Sequence, residues 1–148
     1  MGTITAANSV YLLAIGTGPG QLPLFPPIQL QGFATDAAFE TGASDDAEVV
    51  IGVDGFVSAG YVPFLTDQTI HLQADSPSVI IFEAWIEAEK AALEKLQCSA
   101  FISLPSVSRK YALTTGFLKS IISIPGTKKV LQPRDFVIVW GNISPAPF

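Results

Sequence analysis

The chain has 148 residues, 49% of them hydrophobic and only 14% charged, with eight Lys or Arg against thirteen Asp or Glu and a net charge of −5. This length fits one domain with a single core, and the acidic excess argues against a general nucleic-acid binder. Twenty-one charges are few for the roughly 7,300 Å² that a monomer of this mass exposes, so the composition points to surface buried against neighbours.

In chain order, VYLLAI at 10–15 reads as a buried strand. GTGPGQLPLFPP at 16–27 is a Pro/Gly-rich loop or arm, since its prolines and glycines forbid regular structure. Residues 28–34 suit a short strand, and TDAAFETGASDDAE after them reads as a polar, acidic loop. EVVIGVDGFVSAGYV at 48–62 sets two apolar runs around Asp54-Gly55, a strong hairpin signal. TIHLQA at 69–74 alternates as a strand does.

Residues 77–97 predict a helix, with Ser76 as N-cap and Pro77 at the first helical position. At 100° per residue, Glu83, Glu87, Lys90, Glu94 and Gln97 form a narrow polar stripe opposite Ile81, Trp85, Ala88, Ala92 and Leu96. Phe82, Ile86 and Leu93 widen the apolar side beyond the stripe of about 100° that one sheet requires, which suggests a second contact. SAFISLP, YALTTGFLKSIISI and DFVIVWGNI then read as strands at 99–105, 111–124 and 135–143. The fold class expected is therefore a β-rich α+β domain spanning 1–148, with two packed antiparallel sheets and one flanking helix.

Motifs for chemistry are weak. GTGPGQ resembles a dinucleotide fingerprint, but its third glycine comes one residue early and Pro23, Pro26 and Pro27 prevent the helix such a site needs. Asp45, Asp46, Glu48 and Asp54 lack the spacing of a calcium loop. His71 is the single histidine, without a nucleophile elbow, and Cys98 is the single cysteine, with no activating base before Arg109. No enzyme activity, metal or cofactor is expected. One cysteine fits a reducing compartment. No positively charged leader opens the chain and no uncharged run is long enough for a membrane span, so no membrane binding is expected.

The charge distribution is more informative. Residues 1–89 hold eleven acids and no base, whereas all eight bases follow, with only Glu94 and Asp135 beside them. KSIISIPGTKKVLQPR carries Lys119, Lys128, Lys129 and Arg134 and no acid. Unlike surfaces of this kind orient association, so the basic segment is expected to face the acidic loop 36–48 of another copy, with Asp45 and Asp46 as partners.

IHLQADSPSVIIFEAW, FISLPSVSRKYALTTGFLKS and KKVLQPRDFVIVWGNISPAP, together with the hairpin AEVVIGVDGFVSAGYVP, resemble the tail tube proteins of tailed bacteriophages over residues 48–148. The resemblance implies two packed sheets flanked by a helix and six subunits in a ring whose inner strands join in one barrel. Stacked rings would form a tube in the virion tail, assembled in the host cytoplasm, through which DNA passes without specific binding. Implied partners are other copies, the tape measure protein, and tail terminator or baseplate proteins. The subunit interface is expected to include Asp45, Asp46, Asp54, Gly55, Phe82, Ile86, Leu93, Lys119, Lys128, Lys129 and Arg134. The competing expectation is a monomeric β-sandwich or barrel binding module.

Overall fold

The computed structural model describes residues 9–21, 23, 26–33, 39–43, 47–61 and 63–146. The strands are β1 (Val10–Ile15), β2 (Ile28–Gln29), β3 (Phe39–Thr41), β4 (Ala47–Ile51), β5 (Val57–Tyr61), β6 (Thr66–Leu72), β7 (Cys98–Leu104), β8 (Arg109–Ile121) and β9 (Arg134–Ala146), with helix α1 (Val79–Ala92) between β6 and β7. Seven strands form one sheet in the order β2-β1-β7-β8-β9-β6-β3, and β4 pairs with β5 as a second, two-stranded sheet. Every pairing is antiparallel. The architecture is β-rich α+β, as the alternating apolar runs predict.

The large sheet curls on itself. Four strands lie between β1 and β3 in the sheet, which would hold them more than 20 Å apart in a flat sheet at about 4.8 Å per strand. Yet the rings of Tyr11 on β1 and Phe39 on β3 meet edge to face at 5.3 Å. The Tyr11 hydroxyl also donates to Gln68 Oε1 on β6 at 2.6 Å, and Trp140 Nε1 donates to the same oxygen at 3.1 Å. Bulges supply part of the bend. The β7–β8 register shifts between Cys98 and Ala100, and the β8–β9 register between Leu118 and Ser120. Thr115, beside the first shift, takes a left-handed φ of 55°.

The core fills the concave side. Tyr11, Leu13, Ile15, Ile70, Leu72, Cys98, Ile102, Leu113, Ile138 and Trp140 alternate inward from the strands and are buried. Helix α1 covers one end of this surface. Phe82 stacks on Phe136 of β9 with centroids 4.3 Å apart, and Trp85 and Val79 are buried beside it. Trp85 thus sits in its own subunit's core, as its place opposite the polar stripe predicts.

The helix is shorter than the expected 77–97. Ser76 does not cap it: its hydroxyl donates to the Gln31 carbonyl and accepts from Ser78 N–H, and the helix starts at Val79 after Ser78. At the other end Leu93 turns left-handed at φ 57°. The buried Glu89 carboxylate accepts from Leu96 N–H at 2.9 Å and pairs with Lys95 at 2.7 Å, so the chain leaves the helix by wrapping its last acid. Gln21 then ties the start of the Pro/Gly-rich arm to this exit. It accepts from Gln97 N–H at 2.9 Å and donates to the Lys95 carbonyl at 3.0 Å. Within the segment expected to be a loop, Phe39–Thr41 forms strand β3 on the edge of β6.

Candidate assembly interface

Four surfaces could meet another molecule. The first is the β4–β5 hairpin, in which every strand residue is exposed. Val49, Val50, Ile51, Val57 and Tyr61 present apolar side chains to water, and a lone two-stranded hairpin is marginal there. Its turn has three residues, Val53–Gly55. Gly55 N–H donates to the Gly52 carbonyl at 3.0 Å, and Gly52 N–H donates to the Phe56 carbonyl at 2.8 Å. Gly55 carries the positive φ, 87°, that the last residue of such a turn requires. Asp54 Oδ1 accepts from Phe56 N–H at 3.2 Å and holds the tip.

The second surface is the convex face of the large sheet. Leu12, Phe101 and Ala112 form one cross-strand row, and Phe117 stands opposite Val139 in another. Leu12, Phe101 and Phe117 are all exposed. The third is a pair of free strand edges. Beyond Trp140, which pairs with Thr66, β9 has only β8 as a neighbour among the described residues. On β1, among the described residues, Leu12 and Leu13 pair outward with β2 and the Tyr11 carbonyl accepts from Leu30 N–H at 2.9 Å, leaving the rest of that edge open. Free edges are templates for a further strand.

The fourth is the loop between β8 and β9, where Val130 and Leu131 are exposed. With Gln73, Ala74, Asp75, Lys129 and Pro133 they border an open groove of about 560 Å³.

Two of the four bases in the basic segment, Arg134 and Lys119, pair with acids of their own chain. Arg134 is 3% exposed; it donates to the Ile122 carbonyl at 2.8 Å and the Ser123 carbonyl at 2.9 Å, and it pairs with Glu83 at 2.7 Å. It anchors the β8–β9 loop within its own chain. Lys119 pairs with Asp67 at 3.1 Å, Lys95 with Glu89 and Lys90 with Glu87. Lys128 and Lys129 are exposed and make no ion pair with a described residue.

The other expected interface residues divide. Phe82 is fully buried in the core of its own chain. Ile86 packs partly against that core. Leu93 is 89% exposed at the helix end, and Asp54 and Gly55 are exposed at the hairpin tip. Asp45 and Asp46 lie outside the described residues, as do residues 36–38 and 44 of the acidic loop. Glu89 and Gln68, buried polar residues that organise the helix exit and the barrel interior, have no signal in the periodicity beyond falling on apolar faces.

Nothing assembles for catalysis among the described residues. No cluster of His, Cys, Asp and Glu there could hold a metal ion. His71 Nδ1 lies 2.6 Å from Asp135 Oδ1, and its Nε2 is 3.9 Å from Glu40. Burial pushes the Cys98 thiol well above its ordinary range, with nearby Glu89 adding to the shift, so the thiolate a nucleophile needs is suppressed. No described helix is long and apolar enough to cross a membrane.

The model of the family described as tail fiber protein gp32 matches residues 3–144. Three solved structures share the fold. A chain of the anti-feeding prophage (AFP) baseplate is 11% identical with a TM-score of 0.61, over 99% of this chain and 98% of that one. A chain of the sheath–tube complex of the PVC extracellular contractile injection system is 12% identical with a TM-score of 0.59, over 93% and 88%. A chain of the AFP tube terminating cap is 13% identical with a TM-score of 0.57, over 92% and 88%. At such identities the likeness is one of fold. No curated protein sequence matches.

Proposed function

The chain belongs to the tail fiber protein gp32 family, and on that premise we propose that it is a structural tail subunit that assembles with copies of itself into stacked, six-membered rings. The observation that carries this reading is the β4–β5 hairpin, exposed along its whole length and apolar on both strands. Such a hairpin gains its stability from a surface it packs against, and no surface of the described residues covers it. Strand addition across the free edges of β9 and β1 would join subunit sheets side by side and remove the edges. The convex apolar rows supply further area for burial. In this reading the closed sheet surrounds a lumen for DNA, and the tape measure protein and a terminator or baseplate protein are its partners in the virion tail. The likeness to sheath–tube and cap chains supports it.

The baseplate match, which spans nearly all of both chains, favours a second reading: a ring subunit at the tail end and not along its length. Negative-stain microscopy with light scattering of the purified chain separates the outcomes. Long tubes support the first reading, single six-fold rings support the second, and a monomer of 15.7 kDa at every concentration removes both.

A further inference from the structure

We propose that the tip of the hairpin, Val53, Asp54 and Phe56, seats in the groove beside Val130, Leu131 and Pro133 of a second copy, with Asp54 held by Lys128 and Lys129. The inference rests on the assembly reading and names its stacking contact.

The tip does not fill the groove of its own chain, since Val53 and Phe56 are both exposed. The hairpin lies between β3 and β6, and Thr41 pairs with Gln68, so its root is at the start of β6. The groove begins at Gln73, immediately after β6 ends at Leu72. The seven residues of β6 set root and groove about 20 Å apart at roughly 3.4 Å per residue. The hairpin root and the groove therefore sit at opposite ends of β6, and pairing the exposed tip of one copy with the groove of the next generates a head-to-tail contact that repeats from copy to copy.

Shape and chemistry match. Val53 is 111% and Phe56 75% exposed, so the tip is an apolar plug with a carboxylate between its two knobs. The groove offers exposed Val130 and Leu131. Its wall is preformed: Thr127 bridges to Leu131, Gln132 N–H donates to the Gly126 carbonyl at 2.7 Å, and Gln132 Nε2 donates to the Val130 carbonyl at 3.0 Å. A preformed wall lowers the ordering cost of docking. Residues 47–61 contain Glu48 and Asp54 and no base. The groove side contains Lys128 and Lys129 against one acid, Asp75, leaving a positive excess. These lysines lack an ion pair with any described residue, whereas four other bases are each held by an acid of their own chain.

Charge exchange tests the contact. Assembly is measured by sedimentation at low salt, with circular dichroism confirming the fold of each variant. Asp54→Lys and the pair Lys128→Glu with Lys129→Glu are each expected to lower the assembled fraction about tenfold. All three changes in one chain are expected to restore it to within about threefold. Variants that assemble like the native chain, or a triple variant no better than the worse parent, overturn the proposal. A native chain that stays monomeric overturns the assembly reading itself, so the two failures are distinct. A second measurement uses Val53→Cys with Leu131→Cys. Oxidation should produce a ladder of linked subunits on a non-reducing gel, with the buried Cys98 as a silent background. Assembled particles that yield only monomer after oxidation also overturn it.

Discussion

Arg134 and Glu83 form an ion pair at 2.7 Å that ties the first residue of β9 to the first half of helix α1. The arginine is buried while the glutamate side chain is 54% exposed, so the two partners are unequal. Arg134→Ala would strip the donors from the Ile122 and Ser123 carbonyls and the guanidinium from its place 5.3 Å over the Phe136 ring. The expected loss is about 2–3 kcal/mol of unfolding free energy, mostly from unsatisfied acceptors and lost packing. Glu83→Gln should cost less than about 1 kcal/mol, because an exposed acid gains little from pairing. Urea unfolding of the two variants gives the comparison, and equal costs would contradict the asymmetry.

Trp85 is fully buried, yet its indole N–H finds no hydrogen-bond partner among the described residues. Trp85→Ala should therefore cost about 3–5 kcal/mol as a large core truncation. Trp85→Phe should cost much less than that, because it removes an unsatisfied donor together with part of the ring. Thermal unfolding of both variants measures the difference.

Gly116 sits where a Cβ would press into the Trp140 ring and against Cys98 Sγ. Gly116→Ala should destabilise by about 1–3 kcal/mol or more through overpacking. Adding Cys98→Ala to that variant should recover part of the loss, because the sulfur is one of the two obstructing groups. A double-mutant cycle by chemical denaturation reads this coupling.

Burial raises the Cys98 thiol, and it raises the Tyr11 phenol well above its usual value. Both groups hold their protons more tightly when folded than when unfolded, so their contribution is complete at neutral pH. It declines as pH rises past the unfolded values, about 8.5 for Cys and 10 for Tyr. The melting temperature should fall from about pH 9 upward, and Cys98→Ala should flatten the first part of that fall. The folded protein should also react with thiol reagents only as fast as it unfolds.

Gly55 needs its φ of 87° to close the hairpin turn. Gly55→Val places a β-branched residue in a left-handed conformation, a local cost of about 1–3 kcal/mol. The hairpin is separate from the core, so the melting temperature of the body should change little while assembly drops. A large fall in thermal stability with normal assembly would contradict this separation.

The fold was legible where one face of an element is buried. VYLLAI and the later strands lie within a few residues of their expected places, since period-two burial marks Leu13, Ile70 and Ile138 alike, whereas the fully exposed hairpin was legible from its Asp54-Gly55 turn. The helix ends were not legible. Pro77 and Ser76 look like a helix start, but Ser76 is engaged by Gln31, a contact 45 residues away in sequence. Strand β3 was missed because three residues carry no periodicity and form only on the edge of β6. Charge counting found the asymmetry but could not assign partners. Arg134 meets Glu83 of helix α1 and Lys119 meets Asp67 of β6, so of the four bases in residues 119–134 Lys128 and Lys129 are the two without an ion pair to a described residue. Phe82 looked peripheral on a helical wheel, yet the curl of the sheet brings Phe136 beneath it.

The pairing of β1 with β7 also sets a schedule for synthesis. Ile15 pairs with Cys98 and Val10 with Ser103, so the apolar strand VYLLAI must wait for nearly ninety further residues to be translated. At roughly 5–20 residues per second, that is about 4–18 s during which the nascent chain carries an unmatched sticky segment. β2, with two residues, is too short to shield it. β1 is thus among the last of the described strands to find its place. A ribosome-bound chaperone that shields residues 10–15 should raise the soluble yield more than any change to the later strands.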